Sequence, residues 1–398
     1  MKRIVIFDQA ESYGGSIARC LDIIKATPEY NYLLFTYIDI TPIVEELSLP
    51  NLKTIRVKSY FSYQKKLKIK RKIKNIENMS SVIKLLSDKT LALFDIVNEL
   101  WVATQIRWSL RGKKSAILVS NSNMHPVPMR LNRTLRCYHI VVFRSLDHLT
   151  RWSERTTEVD KFVSISAPLH QIYKTQLGIP ESKATIIGDP VNANEELQQQ
   201  RRSAKPENRV LPGKFTIVCA ARICRQKGQL DACRAFYDSG IWRHSQLIIV
   251  GKADPDENSQ KYLQEIHDFI DQNDLSGYIK LVGFQTNPLV WVDSAQIALH
   301  CATDFEGLGS SVIEAMQLGK IVIASDNGGP SSYIEHGING FLYKSKDIKQ
   351  LSETLSFAFN EYNNLSSIST KAMLDSTNQF SVQVISEKFR ELFHDAFR

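Results

Sequence analysis

The sequence predicts an α/β protein built of two doubly wound parallel-sheet domains, and three observations predict it. At 398 residues the chain is longer than the roughly 250–300 over which a single hydrophobic core keeps growing, so two domains are expected. Short runs that are apolar throughout alternate with helix-length amphipathic stretches, as strands buried on both faces of a parallel sheet require. The alternation breaks at a polar, charged stretch near residue 200 and then starts afresh, which marks a domain boundary.

Taken in order, "RIVIFD" reads as the first strand, "YGGSIARCLDIIKA" as a glycine turn opening a helix, and "YLLFTYI" as a second strand. "AILVSN", "YHIVVFR" and "DKFVSIS" continue the theme, and "APLHQIYKTQLG" follows as a helix. Residues 1–195 are assigned to an N-terminal Rossmann-like domain. Residues 196–212, charged and carrying two prolines, are assigned to a linker. "KFTIVCAAR", "SQLIIVGK", "YIKLVGF", "AQIALHCA" and "KIVIASD" supply the strands of a second Rossmann-like domain over 213–380. Residues 381–398, within "SVQVISEKFRELFHDAFR", read as an amphipathic C-terminal helix.

Composition narrows the class. The hydrophobic share of 43% and charged share of 23% are those of a globular protein. No apolar run approaches the roughly 20 residues that span a bilayer, and the opening "MKRIVIFDQAESYGG" has too short an apolar stretch for a signal peptide. A cytoplasmic protein is expected, one that can sit at the inner face of the membrane. Six scattered cysteines without a C-x-x-C pair speak against a disulfide framework and against a zinc cage.

Two such domains place a ligand cleft outside the carboxyl ends of their strands. A dinucleotide fingerprint G-x-G-x-x-G is missing after the first strand, and so is a Walker P-loop. What stands there is Gly14-Gly15, which either lets backbone N–H groups at a helix N-terminus approach an anion or simply makes a turn. In "AARICRQKGQL", Arg222 and Lys227 lie in a strand-to-helix loop. They converge on a diphosphate, Arg as a fork and Lys as a point charge, or else are solvated. In "DFEGLGSSVIEAMQLGKIVIAS", Glu306 falls in a glycine-rich loop and Glu314 in the helix that follows. Both carboxylates then face one cleft, where each accepts hydrogen bonds from the adjacent hydroxyls of a ribose or sugar ring. The pair Asp254, Asp256 flanking Pro255 imitates a metal-binding D-x-D, but no metal is expected, because the cations and a helix N-terminus already meet the diphosphate charge.

The run "DFEGLGSSVIEAMQLGKIVIASDNGGPSSYIEHGINGFLY" resembles the nucleotide-sugar signature of family 4 glycosyltransferases, retaining enzymes of the two-Rossmann GT-B fold with an E-x7-E motif. "YGGSIAR", "VDKFVSISAPLHQIYKTQLGIPESKATIIGDPVN", "AARICRQKGQL" and "LVGF" fall in the family's order. The resemblance implies a hexosyl-type transfer from a nucleotide-diphosphate sugar to a hydroxyl acceptor, a glycan or lipid-linked glycan. It implies that Arg222 and Lys227 hold the donor diphosphate, Glu306 the donor sugar and Glu314 the ribose, with Gly15 offering its backbone to the phosphate. Gly14, Gly283, Gly307, Leu308, Gly309 and Ser310 complete the donor site it implies. Retention would bring the acceptor in on the face the diphosphate leaves, so that a leaving phosphate oxygen takes the acceptor's proton.

The chain departs from the pattern in two places. Ser332 in "GGPSS" stands where a glutamate is frequent, and "VVFRSLDHL" leaves open whether Asp147, His148 or neither lines the sugar site. Acceptor-side candidates are Asn121, His125, Asp147 and His148. The net charge of +8 is concentrated in "KTIRVKSYFSYQKKLKIKRKIK", residues 53–74, with ten Lys or Arg, no acid, and Tyr60, Phe61 and Tyr63 among them. Residues 58–74 suit an anionic membrane surface, or make a solvated loop. No nucleic-acid reader motif accompanies them. A sugar-nucleotide epimerase or hydrolase of the same fold, or a non-catalytic sugar-nucleotide binder, are the rival readings.

Overall fold

A computed structural model describes residues 2–10, 14–59, 81–111, 117–122, 124–146, 153–203 and 213–398, with the backbone alone at 81–88, 90 and 91. The basic stretch from 60 to 80, Asp147 and His148, and residues 204–212 of the expected linker lie outside the described residues. The chain divides into two compact units, one of residues 1–165, 170–187 and 386–398, the other of 166–169 and 188–385.

The first unit holds a seven-stranded sheet. Its strands are β1 (Arg3–Asp8), β2 (Asn31–Thr36), β3 (Leu52–Arg56), β4 (Ile117–Ser120), β5 (Tyr138–Phe143), β6 (Lys161–Ser164) and β7 (Ala184–Ile186). They lie in the order β3-β2-β1-β4-β5-β6-β7, every pair parallel. The second unit holds β8 (Phe215–Ala220), β9 (Ser245–Val250), β10 (Ile279–Leu281), β11 (Ile297–His300), β12 (Ile321–Ser325) and β13 (Phe341–Tyr343). Their order is β10-β9-β8-β11-β12-β13, again all parallel. In each sheet the order reverses direction once, beside β1 and β4 in the first and β8 and β11 in the second. Doubly wound sheets bind ligands at this point.

The core explains the apolar runs. Alternate residues of β8, β9, β11 and β12 point to one face, where Ile217, Leu247, Ile249, Ile297 and Ile323 pack with Phe236 and Ile266 of the covering helices. The central strands of the first sheet are buried along almost their whole length.

One assignment is corrected. Residues 196–203 are not linker but the greater part of a helix, Ala193–Ser203. The sequence there is polar, but Ala193 and Leu197, four apart on one helical face, are buried against Leu289. Gln317 accepts from the Ala193 N–H and donates to the Val191 carbonyl, stitching the helix start to the body of the second unit. The division between units accordingly falls at residues 187 and 188 rather than at 195. The C-terminal helix expected over 381–398 is present as Val382–Ala396. From Ser386 onward it belongs to the first unit, where Phe393 meets Tyr30 edge-on at 5.5 Å and Arg390 pairs with Glu29 at 2.8 Å.

Candidate functional site

In the second unit the loops after β8 and β11 carry the charged residues singled out by sequence. After β8 the chain runs through Arg222 into a single 3-10 turn, Arg225–Lys227, and then Gly228. This glycine is compulsory: its φ is +64°, and a Cβ there would lie 1.9 Å from the Cys301 carbonyl oxygen. The turn is bound to the loop after β11, Thr303 N–H donating to the Gln226 carbonyl at 3.0 Å and Thr303 Oγ1 to the Arg225 carbonyl at 2.9 Å. Lys227 is thereby fixed beside the glutamate loop.

That loop has its own support. Glu306 forms a parallel bridge with Gly328, its N–H donating to the Asn327 carbonyl and its carbonyl accepting from Gly329 N–H at 2.7 Å. A Cβ on Gly328 would come within 2.2 Å of the Glu306 carbonyl oxygen, and one on Gly329 within 2.5 Å of Leu308 Cα. The "NGG" sequence is what lets this segment pass under the loop. The buried Tyr333 hydroxyl donates to the Leu308 carbonyl at 2.8 Å, and Ser166 Oγ donates to the Gly307 carbonyl at 2.6 Å. Gly309, at φ +80°, caps the helix Ser310–Gln317, whose N-terminus carries the positive end of the backbone dipole. Glu314 is half-buried one turn into it.

The Lys227 ammonium meets Oε2 of Glu306, and His300 Nε2 reaches the same oxygen at 3.1 Å. Burial alone would raise the Glu306 carboxyl. The hydrogen bond and electrostatic pull of His300, then those of Lys227, outweigh it and hold the group at about 2, against an ordinary 4.5. The result is a partly buried carboxylate that stays ionised. Arg222 instead pairs with Asp254 at 2.9 Å, both well exposed at 56% and 39%. Such a pair is worth less than about 1 kcal/mol, so Arg222 is free to exchange it for a stronger anion. Asp256 caps the helix Glu257–Gln272 by accepting from Asn258 and Ser259 N–H, each at 3.1 Å. Among the described residues no cluster of three or more His, Cys, Asp or Glu is arranged to hold a metal. Gly283, at φ +70°, accepts from Gly251 N–H at 2.9 Å and ties the loop after β10 to that after β9.

In the first unit Gly14 and Gly15 open the helix Gly15–Ala26 at the carboxyl end of β1, with no described residue within 4 Å of a Cβ built on either. Asn121 is buried in a network: it donates to Asp8 Oδ2 at 2.6 Å and to the Ser16 carbonyl at 3.2 Å, and accepts from Arg144 at 3.1 Å. His125 caps the helix Pro126–Leu135, accepting from Val127 N–H at 3.2 Å, and its ring lies 5.0 Å from that of Phe7. Asp8, Arg144, His300 and Tyr333 are the neighbours sequence reasoning missed. Asp8 closes the first strand and His300 the apolar run "IALH", a position from which a strand-terminal side chain enters the switch-point crevice.

Residues 200–373 match the model of the glycosyl transferases group 1. The chain is 25% identical over 205 residues to the amylovoran biosynthesis glycosyltransferase AmsK of Erwinia amylovora, a match covering 49% of this chain and 44% of AmsK. It is 24% identical over 269 residues to the putative colanic acid biosynthesis glycosyltransferase WcaL of Salmonella typhimurium, covering 64% of this chain and 62% of that one. The chain thus spans about half the length of these relatives. Among solved structures it superposes on HepE of Anabaena in complex with UDP at a TM-score of 0.75 and 17% identity, over 99% of this chain and 100% of that one. HepE has also been solved with UDP-glucose. The chain has the GT-B fold, and most of its second unit matches the glycosyl transferases group 1.

Proposed function

We propose that the chain is a retaining glycosyltransferase that moves a hexosyl group from a nucleoside-diphosphate sugar to a hydroxyl of a glycan or lipid-linked glycan in polysaccharide biosynthesis. The observation that carries this reading is the meeting of Lys227, Glu306 and His300 at the carboxyl ends of β8 and β11, beside the helix that Gly309 opens. A diphosphate entering there offers Lys227 two charges in place of one carboxylate and draws Arg222 from its exposed pair. As the glycosidic bond breaks, negative charge grows on the leaving oxygens. Cations already in place stabilise that late charge more than the ground state. Freed from Lys227, Glu306 accepts hydrogen bonds from the sugar hydroxyls, while Glu314 serves the ribose. The leaving phosphate oxygen takes the acceptor's proton, and the reading calls for no metal.

AmsK and WcaL are named for the biosynthesis of amylovoran and colanic acid, which supports a polysaccharide acceptor. Attachment to an anionic membrane through residues 58–74 is part of the proposal. Its support is the ten Lys or Arg of 53–74 and the exposed apolar Leu93, Val97, Leu100 and Trp108 on the helix Ser81–Ser109 that follows. The test is a thermal-shift screen against nucleoside-diphosphate sugars, then mass spectrometry of the best binder incubated with and without glycan acceptors. Acceptor-dependent loss of donor with retained anomeric configuration is expected. Free or isomerised sugar formed without acceptor would mean a hydrolase or epimerase, and binding without consumption a sugar-nucleotide binder.

A further inference from the structure

His300 ends β11, only 7% of its side chain exposed, with Nε2 3.1 Å from Glu306 Oε2. An ionised carboxylate only accepts, so Nε2 carries the proton of this bond. Among the described residues the other ring nitrogen, Nδ1, is buried without a hydrogen-bond partner. Burying an imidazole with one nitrogen unsatisfied is unfavourable, and a strand reading "IAL" up to that point would be served as well by another aliphatic residue. The cost is offset only if the Nε2 bond has a use.

The two donors to Oε2 differ in how firmly they are held. Lys227 sits on a 3-10 turn at the end of a four-carbon stem, 27% exposed. His300 is fixed by a strand paired on both sides with β8 and β12. A ligand carrying two phosphate charges competes for the ammonium and leaves the imidazole where it is. Glu306 would then have lost the partner that neutralises it while still having to face the sugar.

We propose that His300 is the positioning residue of the donor site, holding the Glu306 carboxylate ionised and aimed at the transferred sugar once Lys227 has gone to the diphosphate. The proposal rests on the donor-site reading above. The groups that bear on Glu306 are Lys227 from the turn after β8, His300 from β11 and the phenol of Tyr333 from beyond the turn Gly329–Ser332. Of these, Tyr333 is spent on the Leu308 and Gly309 carbonyls, so with Lys227 withdrawn His300 is the one group among the described residues that opposes the upward push of burial. Removing it lets the carboxyl climb, and the acid limb of turnover moves toward neutral pH.

The test uses the full chain with UDP and UDP-glucose as probes. UDP affinity is measured by calorimetry, and UDP release from UDP-glucose across pH in the presence of a saturating glycan acceptor, for wild type, His300→Ala, His300→Phe and His300→Gln. His300→Ala and His300→Phe should each lower kcat by about 10- to 100-fold, as expected for a lost hydrogen bond to a charged group. Their UDP Kd should stay within about twofold of wild type, because the bond acts on the sugar and not on the nucleotide. His300→Gln, which returns an N–H donor near the position of Nε2, should recover most of the loss and the wild-type acid limb. If His300→Ala does not fold, the Phe and Gln variants still compare a filled site with and without a donor. Phe at wild-type kcat, Gln no better than Phe, or UDP affinity falling in step with kcat would each overturn the role of His300 alone. A wild-type chain that binds none of UDP, GDP, ADP, CDP and dTDP would overturn the donor-site reading and this role with it; if another of these binds in place of UDP, it and its sugar conjugate replace UDP and UDP-glucose as the probes.

Discussion

Glu306→Gln keeps the shape of the side chain and removes its charge, and its effect on stability should depend on pH in a way the site dictates. The folded carboxyl is held at about 2, below an ordinary 4.5, because His300 and Lys227 together outweigh burial. A depressed carboxyl stabilises the fold fully above its unfolded pKa, and that stabilisation is lost as pH falls through the folded one. At about 1.4 kcal/mol per pKa unit, the depression corresponds to about 3 kcal/mol at pH 7. With Glu306 17% and Lys227 27% exposed, solvent screening takes only part of it. About 2 kcal/mol of the contribution should be gone by pH 3, midway through the window. Urea unfolding of wild type and variant at pH 7, 5, 4 and 3 isolates the effect, since every other titrating group is common to both. The variant should be the less stable at pH 7 and should close on wild type as the pH drops. A stability gap that stays constant from pH 7 to 3 would refute the claim that an ionised Glu306 is held by these two donors.

Three other predictions follow from single features and one from the pair of glutamates. Gly228→Ala forces a Cβ to within 1.9 Å of the Cys301 carbonyl at positive φ, and should destabilise by about 2–4 kcal/mol, read as a lowered Tm. Arg222→Ala should reduce donor kcat/KM by about 2–4 kcal/mol of transition-state stabilisation while leaving Tm unmoved, because the pair it loses is exposed. Replacing Lys65, Lys66, Lys68, Lys70, Arg71 and Lys72 by serine should abolish sedimentation with anionic vesicles and spare nucleotide binding; sedimentation that ignores salt would exclude electrostatic docking. Glu314→Gln should raise donor KM and nucleoside diphosphate Kd together, whereas Glu306→Gln should lower kcat and leave that Kd nearly intact; equal weakening of the free nucleotide by both would reject this division.

What was legible in the sequence, and what was not, has a physical pattern. Central strands such as "FTIVCA" and "IVIAS" are buried on both faces and therefore write themselves as unbroken apolar runs. Edge strands do not: in β3 only Leu52 is buried, and β7 has no buried residue, so neither leaves such a run. The helix Ala193–Ser203 was hidden for the opposite reason, since two small contacts suffice to seat an otherwise polar face. Charged residues were found wherever a loop after an apolar strand displayed them, which is how Arg222, Lys227 and Glu306 stood out.

Their pairing was not legible, because it is a property of strand order. Lys227 and Glu306 are 79 residues apart, and nothing local joins them. They meet because β8 and β11 are neighbours across the point where the second sheet reverses its order, and because Gly228 and the Gly328-Gly329 pair let two backbones pass where a side chain would block them. His300 left even less trace. A lone histidine ending an apolar strand reads as core, and only the side chain 3.1 Å away gives it a task. The same geometry explains why Arg222, five residues before Lys227 and of the same charge, behaves differently. It pairs outward with Asp254 in solvent, whereas Lys227 is turned inward by the bonds from Thr303. Two cations from one loop are therefore held in different ways, one loosely in an exposed pair, the other against an ionised, partly buried carboxylate.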